Sequence, residues 1–479
     1  MSTQIDCLRY TSPNEQRTVS REDLGFYHAV VVAATYDLPK TFDTGTGAYL
    51  YSALHTCIHE YNYLSVVVED MHTDRAYYRR VPFINLEQHI FISEQRRDDD
   101  SKKYVEKILA SEVDTPFTPG LPPWRIVVLP LRHEYLIIFS FSHTLGDGIN
   151  GKAFHRTLLH ALQSARGDNE DISSIFPVSS RPLPAPFDTP ERLPISWSYL
   201  LAPFVALFIP PFLSRLMGLR TSASVVDAGT WTGSRIFVSE KPSHTQLKMR
   251  EIAPAVLEKA LRIARTHDAK FTGLFQHLVV RALNKNLANS SFTNFVSATA
   301  MNMRKSVGIS DDQDGLFASG CYIKHLRHPL PSATGILTFD EWATITSSTR
   351  ELAEASSTLQ DQAIGLLRYL PSIRKWTAGK IGQQRDCSFE VSNIGTFEAL
   401  GGSFNDSKVH ARITQMVFAT PGEIIGGPLK FMVMSVKGGT SVYTVSWKLG
   451  ALNIGGTDEE SFVEAVCTSI EDDLASLLS

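Results

Sequence analysis

The chain has 479 residues, of which 43% are apolar and 20% charged, and its formal net charge at pH 7 is -4. These values are typical of a soluble globular protein and give no electrostatic argument for binding nucleic acid. The length predicts two to four domains, at about 100–200 residues per domain. The five cysteines show no metal-ligand or redox spacing, and the polar N-terminus lacks the apolar core of a signal peptide. We therefore expect a cytoplasmic protein with no metal site.

The first part of the chain predicts strands and helices of an α/β sheet. Strands are predicted at 26–37, 122–131 and 135–143, where apolar residues run continuously or alternate. Helices are predicted at 46–65 and 151–165, where apolar residues recur at helical spacing. The two strands after residue 121 are separated by a short polar turn, so we expect them to pair with each other.

A change of composition marks the middle of the chain. Six prolines lie between residues 176 and 194, which favours a crossover linker over a packed element. The following segment, 197–220, is apolar over nearly the length that spans a bilayer, but Pro203, Pro210 and Pro211 predict that no continuous helix crosses it. The alternatives are a buried linker or channel wall, and shallow insertion into the surface of the endoplasmic reticulum or a lipid droplet. We expect an N-terminal subdomain at 1–176, a linker at 177–230 and a C-terminal subdomain at 231–479.

The second half predicts a further α/β unit. Strands are predicted at 231–240, before residue 306, and at 387–397, 429–439 and 441–450. Helices are predicted at 253–268, at 272–288 with Thr272 as its N-cap, and at 459–478.

The two halves also share a local pattern. The segments 136–162 and 441–470 both run strand, serine, glycine-containing turn and helix. Trp447 and Ala451 stand in the second segment where His143 and Asp147 stand in the first. The pattern indicates two related units, of which only the first keeps a polar pair, and therefore one site in the chain.

That polar pair lies in the stretch FSFSHTLGDGINGKAF, residues 139–154. A histidine can take and return a proton near neutral pH, and glycines allow a tight turn and the close approach of a ligand. An isolated His-x-x-x-Asp pair is more typical of a structural histidine beside a turn aspartate. Here the preceding strand, Gly148 and the following helix favour a catalytic site.

The segment SHTLGDG resembles the His-x-x-x-Asp-Gly motif of the chloramphenicol acetyltransferase-like superfamily, which includes condensation domains and BAHD acyltransferases. Four further segments agree with that superfamily in order along nearly the whole chain: LPPWRIVVL, WTGSRIF, MNMR and FEVSNIGTF. Together they are most similar to the fungal alcohol O-acetyltransferases. The Asp-Phe-Gly-Trp-Gly motif of the plant BAHD enzymes is absent. The resemblance implies an α/β fold in which two such subdomains, each a mixed sheet flanked by helices, form a pseudo-dimer with a central solvent channel.

The resemblance also implies roles for individual residues. His143 would lie near the middle of the channel as the general base. Ser392 would donate a hydrogen bond to the tetrahedral intermediate, with Asn393 as the alternative donor or a substrate contact. Asp147, the third residue of the predicted catalytic set, would turn away from the channel and pair with Arg304 to hold the loop in shape.

Gly148 would serve as a backbone requirement of the same loop. The implied reaction is acetyl transfer from acetyl-CoA to a hydroxyl of a hydrophobic alcohol or a natural product of secondary metabolism. Because His143 can act as the general base, no covalent acyl-enzyme is required, and the chain has no Gly-x-Ser-x-Gly nucleophile elbow.

Acetyl-CoA would be a co-substrate, with no permanently bound cofactor, and the enzyme would be a monomer. The alternatives are an acyl donor bound to a carrier protein, an amine acceptor, and a non-catalytic binding protein of the same fold.

Overall fold

The computed structural model describes residues 7–39, 47–93, 102–164, 173–208, 223–239, 244–287, 291–327, 336–399 and 411–477. Its helices are α1 (Pro13–Asp23), α2 (Tyr51–Glu60), α3 (Lys102–Asp114), α4 (Gly148–Ser164), α5 (Trp197–Phe208), α6 (Pro254–Thr266), α7 (Phe271–Asn286), α8 (Phe339–Ser357), α9 (Ile373–Ala378) and α10 (Glu459–Ser476). Its strands are β1 (Cys7–Tyr10), β2 (Val30–Asp37), β3 (Val66–Glu69), β4 (Tyr77–Arg80), β5 (Phe83–Asn85), β6 (Ile90–Ile92), β7 (Trp124–Pro130), β8 (Tyr135–Phe141), β9 (Ile175–Pro177), β10 (Thr245–Ile252), β11 (Asn294–Asn302), β12 (Ala318–Leu326), β13 (Phe389–Phe397), β14 (Arg412–Ala419), β15 (Leu429–Val436) and β16 (Ser441–Lys448).

Two mixed sheets carry the fold. The first has the order β14-β2-β8-β7-β6, and the second has the order β10-β16-β15-β13-β11-β12. The pairs β6–β7, β11–β13 and β13–β15 are parallel, and the other pairs in these sheets are antiparallel. Helix α4 packs on the first sheet, whereas α7 and α10 bury their apolar faces against the second. The α/β class and the mixed sheets flanked by helices are therefore as predicted.

Strand β14 belongs to the first sheet although it follows helices α6 to α9 of the second half in sequence. It pairs antiparallel with β2, from Arg412 opposite Asp37 to Ala419 opposite Val31. The sheet alignment brings the end of β14, the start of β2 and the end of β8 to one edge. Lys430, near the start of β15, lies against Tyr27, just before β2, so chain segments far apart in sequence meet there.

Most predicted elements form, but three predictions are wrong. Residues 231–239 make no strand: the amides of Trp231, Ser234 and Ile236 bond to Asn294, Ala451 and Gln383, which lie in three separate segments. Gly233 there has φ +67, which breaks the extended path. The first strand of this half is instead β10, which sequence patterning missed.

The predicted N-cap of α7 is also wrong. The helix begins at Phe271, so Thr272 lies inside it, and the capping residue Lys270 makes no side-chain cap bond. The hydroxyl of Thr272 instead accepts a hydrogen bond from the side chain of Asn393. Thr272 therefore makes a tertiary hydrogen bond to β13 in place of the predicted N-cap bond within its own helix.

Helix α5 covers the start of the apolar segment 197–220. It continues through Pro203, contrary to expectation, because a proline removes one amide donor while the neighbouring turns keep theirs. Trp197 is 77% exposed, and Leu201 and Val205 on the same face are also exposed, so this face is not a buried channel wall. Residues 209–222 lie outside the described residues, and membrane contact through 197–220 stays a prediction. No helix in the described part of the chain is long and apolar enough to span a bilayer.

Candidate active site

His143 lies in the short loop between β8 and α4. The side chain is half-buried, and its Nδ1 lies 2.8 Å from the carbonyl oxygen of Gly146. A carbonyl oxygen only accepts hydrogen bonds, so Nδ1 must carry the proton in this contact. In the neutral ring this leaves the lone pair on Nε2, and the loop therefore presents Nε2 as a base.

The carboxylate of Asp147 turns away from His143 to the guanidinium of Arg304. Nη1 of Arg304 lies 3.1 and 2.9 Å from the two carboxylate oxygens, and the Arg304 side chain is fully buried. The backbone amides of Ile149 and Phe317 donate to the same carboxylate at 3.1 and 3.0 Å. These contacts join the loop that carries His143 to the segment that follows β11.

Arg304 is itself held on several sides. It donates to the carbonyls of Gln313 and Gly315 and to the side chain of Asn150. The ring of Phe317 lies 4.8 Å from the guanidinium carbon. A buried charge with this many partners fixes the geometry of the loop that carries His143.

Gly148 is the first residue of α4 and touches both halves of the chain. A Cβ atom on it would lie 2.8 Å from Cγ2 of Ile394 and 2.9 Å from the Phe418 ring. At these distances one of the two side chains, on β13 or β14, would have to shift. Glycine at this position lets α4 approach the strand that carries Ser392.

Ser392 and Asn393 are neighbours in β13, but their side chains differ in their hydrogen bonds. The half-buried Ser392 hydroxyl makes no hydrogen bond to another described residue. The Asn393 amide nitrogen donates to Thr272 at 3.1 Å, and its oxygen accepts from the Gly395 amide at 2.9 Å. Asn393 therefore braces its own strand, whereas the Ser392 hydroxyl is free to bind another group.

Sequence analysis missed a cluster of residues beside His143. The ring of Tyr27 lies 5.5 Å from the His143 ring, between centroids. Arg21 and Lys430 also lie against the Tyr27 ring, and Glu423 pairs with both of them. No local motif marks these residues, because they come from α1, the segment before β2, the segment after β14, and β15.

The environment of His143 favours its neutral form. Burial, followed by the positive charges of Arg21 and Arg17, lowers the pKa of His143 to about 4. Glu22 lies nearby and accepts a hydrogen bond from Ser142, and burial raises the pKa of that carboxyl to about 8. At neutral pH the imidazole is therefore uncharged and Glu22 is protonated.

A cavity of about 250 Å³ lies between the two halves beside Tyr27. Both halves contribute to its lining, which includes Phe26, Tyr27, His28, Asp114, Phe237, Arg385, Glu423 and Lys448. Tyr27 lines this cavity and also contacts His143, whereas His143 itself is not among the residues that line it. Among the described residues, no group of three or more His, Cys, Asp or Glu side chains is placed to hold a metal ion.

The matching position of the second half carries no such site. Trp447 and Ala451 are 1% and 0% exposed and lie in or against the core under the second sheet. In the described structure, the positions that match His143 and Asp147 are thus buried apolar residues.

Comparison with known proteins places this geometry in a family. The model of the alcohol acetyltransferase family matches residues 62–464. The chain belongs to the alcohol acetyltransferase family. A probable alcohol acetyltransferase of Aspergillus fumigatus is 21% identical over 92% of this chain and 95% of its own length. A protein of Schizosaccharomyces pombe is 24% identical over 90% of this chain and 89% of its own.

Solved structures share the fold. A trichothecene 15-O-acetyltransferase from Fusarium sporotrichioides superposes with a TM-score of 0.66 at 13% identity, over 98% of this chain and 94% of that one. The starter condensation domain of rhizomide synthetase superposes with a TM-score of 0.59 at 11% identity, over 99% and 95%. The chain is therefore an O-acetyltransferase-type enzyme with the chloramphenicol acetyltransferase-like, two-subdomain fold.

Proposed function

We propose that this enzyme transfers an acetyl group from acetyl-CoA to the hydroxyl of a hydrophobic alcohol, with His143 as the general base. The observation that carries the proposal is the hydrogen bond from Nδ1 of His143 to the Gly146 carbonyl, which leaves Nε2 as a base at the meeting edge of the two halves. Membership of the alcohol acetyltransferase family supports the alcohol acceptor.

The proposed reaction is a direct transfer. Nε2 of His143 takes the proton of the acceptor hydroxyl as that oxygen bonds to the thioester carbonyl carbon. The tetrahedral intermediate collapses by breaking the carbon–sulfur bond, and His143 returns the proton to the leaving sulfur. The products are an acetate ester and free CoA, and no covalent enzyme intermediate forms.

The intermediate places negative charge on the former carbonyl oxygen. Ser392 is the proposed donor to that oxygen, because its hydroxyl is uncommitted among the described residues, whereas the Asn393 amide is engaged. Preorganised donors of this kind are typically worth about 2.7–4 kcal/mol of barrier each.

The donor and acceptor classes are tested together by thiol release. Purified enzyme is given acetyl-CoA with alcohols from ethanol to polycyclic terpenols, and with amines of matched carbon skeleton. A second series replaces acetyl-CoA by longer acyl-CoA esters, since the neighbouring condensation domain was solved with C8-CoA. We expect thiol release that depends on an alcohol and is fastest with acetyl-CoA.

The alternatives give different results. If thiol is released with amines but not with alcohols, the acceptor is an amine and the proposed alcohol acceptor is wrong. No release from any acyl-CoA, from folded protein, would reject the CoA donor and favour an acyl group on a carrier protein or a non-catalytic role.

A further inference from the structure

Tyr27 connects His143 to a buried set of charges. The guanidinium carbon of Arg21 lies 4.6 Å and Nζ of Lys430 4.9 Å from the centroid of the Tyr27 ring. The His143 ring lies 5.5 Å from the same centroid, tilted by 44°. Two cations therefore already lie against the aromatic ring that contacts the imidazole.

Glu423 ties the two cations together. One carboxylate oxygen, Oε2, accepts from Arg21 and, at 3.1 Å, from Nζ of Lys430. Arg21, Glu423 and Lys430 are each less than one-tenth exposed. Arg21 and Lys430 lower the pKa of Glu423 to about 2 in spite of its burial, so this carboxylate is ionised. We call Arg21, Glu423 and Lys430 the charge cluster.

We propose that the charge cluster is a positioning device that holds His143 as the neutral imidazole, acting across Tyr27. The proposal deepens the function proposed above and rests on it for its catalytic meaning. The neutral ring is the form that can take a proton from the acceptor hydroxyl.

Burial of the His143 ring is the largest influence that favours its neutral form, the positive charges of Arg21 and Arg17 act in the same direction, and the Asp147 carboxylate acts against them. Helix α1 presents Arg17 and Arg21, and its Glu22 is protonated and bonded to Ser142. On the loop of His143 itself, the Asp147 carboxylate is turned to Arg304.

On the side of the second half, Lys430 lies near Glu423 and, at 3.6 Å, near Glu390 on β13. Arg17 hydrogen-bonds to Asn14 and has no carboxylate partner within ion-pair distance among the described residues. Among the groups beside Tyr27, the three cations Arg17, Arg21 and Lys430 outnumber the carboxylates Glu423 and Glu390, and of these cations Arg21 and Arg17 oppose an imidazolium at His143.

The cluster makes two predictions of opposite sign. Arg21→Met removes a cation and is expected to raise the pKa of His143, because a nearby like charge disfavours the imidazolium. Glu423→Gln removes the compensating anion and is expected to lower it. Arg412→Met, which removes an exposed arginine paired with Asp37 on β2, is the matched control and should leave the pKa unchanged.

The pKa of His143 is read by NMR of the full-length protein labelled with ¹³C at histidine Cε1. The spectrum of His143→Ala assigns the resonance, and circular dichroism and the melting temperature check that each variant is folded. Lys430→Met, which also removes a cation, serves if Arg21→Met does not fold. The acid limb of kcat/KM for each folded variant should move with the NMR value.

Shifts of opposite sign in the cation and anion variants would sustain the proposal. No shift in either, or shifts in the same direction, would overturn it. Because the titration needs no turnover, opposite shifts in a protein without transferase activity would keep the charge effect and overturn the proposed function instead.

Discussion

The proposed role of Ser392, to donate a hydrogen bond to the oxygen of the tetrahedral intermediate, depends on its hydroxyl group alone. Its side chain has no hydrogen-bond partner among the described residues, so removing the oxygen should leave the fold intact. We expect Ser392→Ala to lower kcat about 100- to 1,000-fold, the usual cost of one oxyanion donor, with little change in KM for acetyl-CoA. Steady-state kinetics at saturating alcohol measure both constants.

Thr396→Ala is the matched control for this variant, since Thr396 is an exposed residue on the same strand. It should retain wild-type kcat. Equal kcat in Ser392→Ala and Thr396→Ala would remove Ser392 from the mechanism and leave the oxyanion donor to be found elsewhere.

Among single residues, the sequence identified those that lie in motifs. His143, Asp147 and Gly148 stand in one short loop, where a spacing pattern exists to be found. Arg21 and Glu423 are 402 positions apart in the chain, and only the folding of α1 against the segment after β14 joins them. Tyr27 likewise gives no local signal, because its role comes from contacts with distant residues.

At the scale of elements, the loop after β8 and the segment after β11 are joined by one buried ion pair. Asp147→Asn or Arg304→Met alone should each lower the free energy of unfolding by about 3–5 kcal/mol, because each leaves a buried charge without its partner. The double variant should lose less free energy of unfolding than the two single variants together. Urea unfolding of all four proteins, followed by circular dichroism, measures the coupling.

The control for this cycle is an exposed pair, Lys437 with Glu398, whose members are more than half exposed. Removing it should cost about 0–1 kcal/mol. If the double variant loses as much free energy of unfolding as the two single variants together, Asp147 and Arg304 are not coupled and the pair does not hold the loop in the way described.

The sequence predicts secondary-structure elements well where burial in the core imposes a clear pattern of apolar residues. Strands β8, β15 and β16 are almost continuously buried, and their apolar runs were recognised. Residues 231–239 are rich in strand-forming residues yet make no strand, since their amides bond to three distant segments. Tertiary contacts of this kind override local propensity and leave no trace in the local sequence.

At the scale of the whole molecule, the second half contributes one strand to the sheet of the first half. Strand β14 lies beyond residue 411 but completes the sheet that carries His143. Phe418 at its end packs against Gly148 at the start of α4, so the site includes residues from both halves. The sequence indicated two related units and one site. It did not indicate that β14 joins the first sheet, because the order of strands in a sheet depends on long-range pairing rather than on any local pattern.

The central claim is that one histidine, His143, performs the proton transfer of an alcohol acetylation. The most direct measurement compares alcohol-dependent thiol release from acetyl-CoA by the wild-type enzyme, His143→Ala and His160→Ala, with ester formation followed by mass spectrometry. His160 lies exposed on α4 and serves as the matched control. We predict ester formation by the wild type and by His160→Ala, and a loss of at least about 100-fold in His143→Ala, the lower end of what a general base contributes. Ester formation by folded His143→Ala at the wild-type rate would contradict the account.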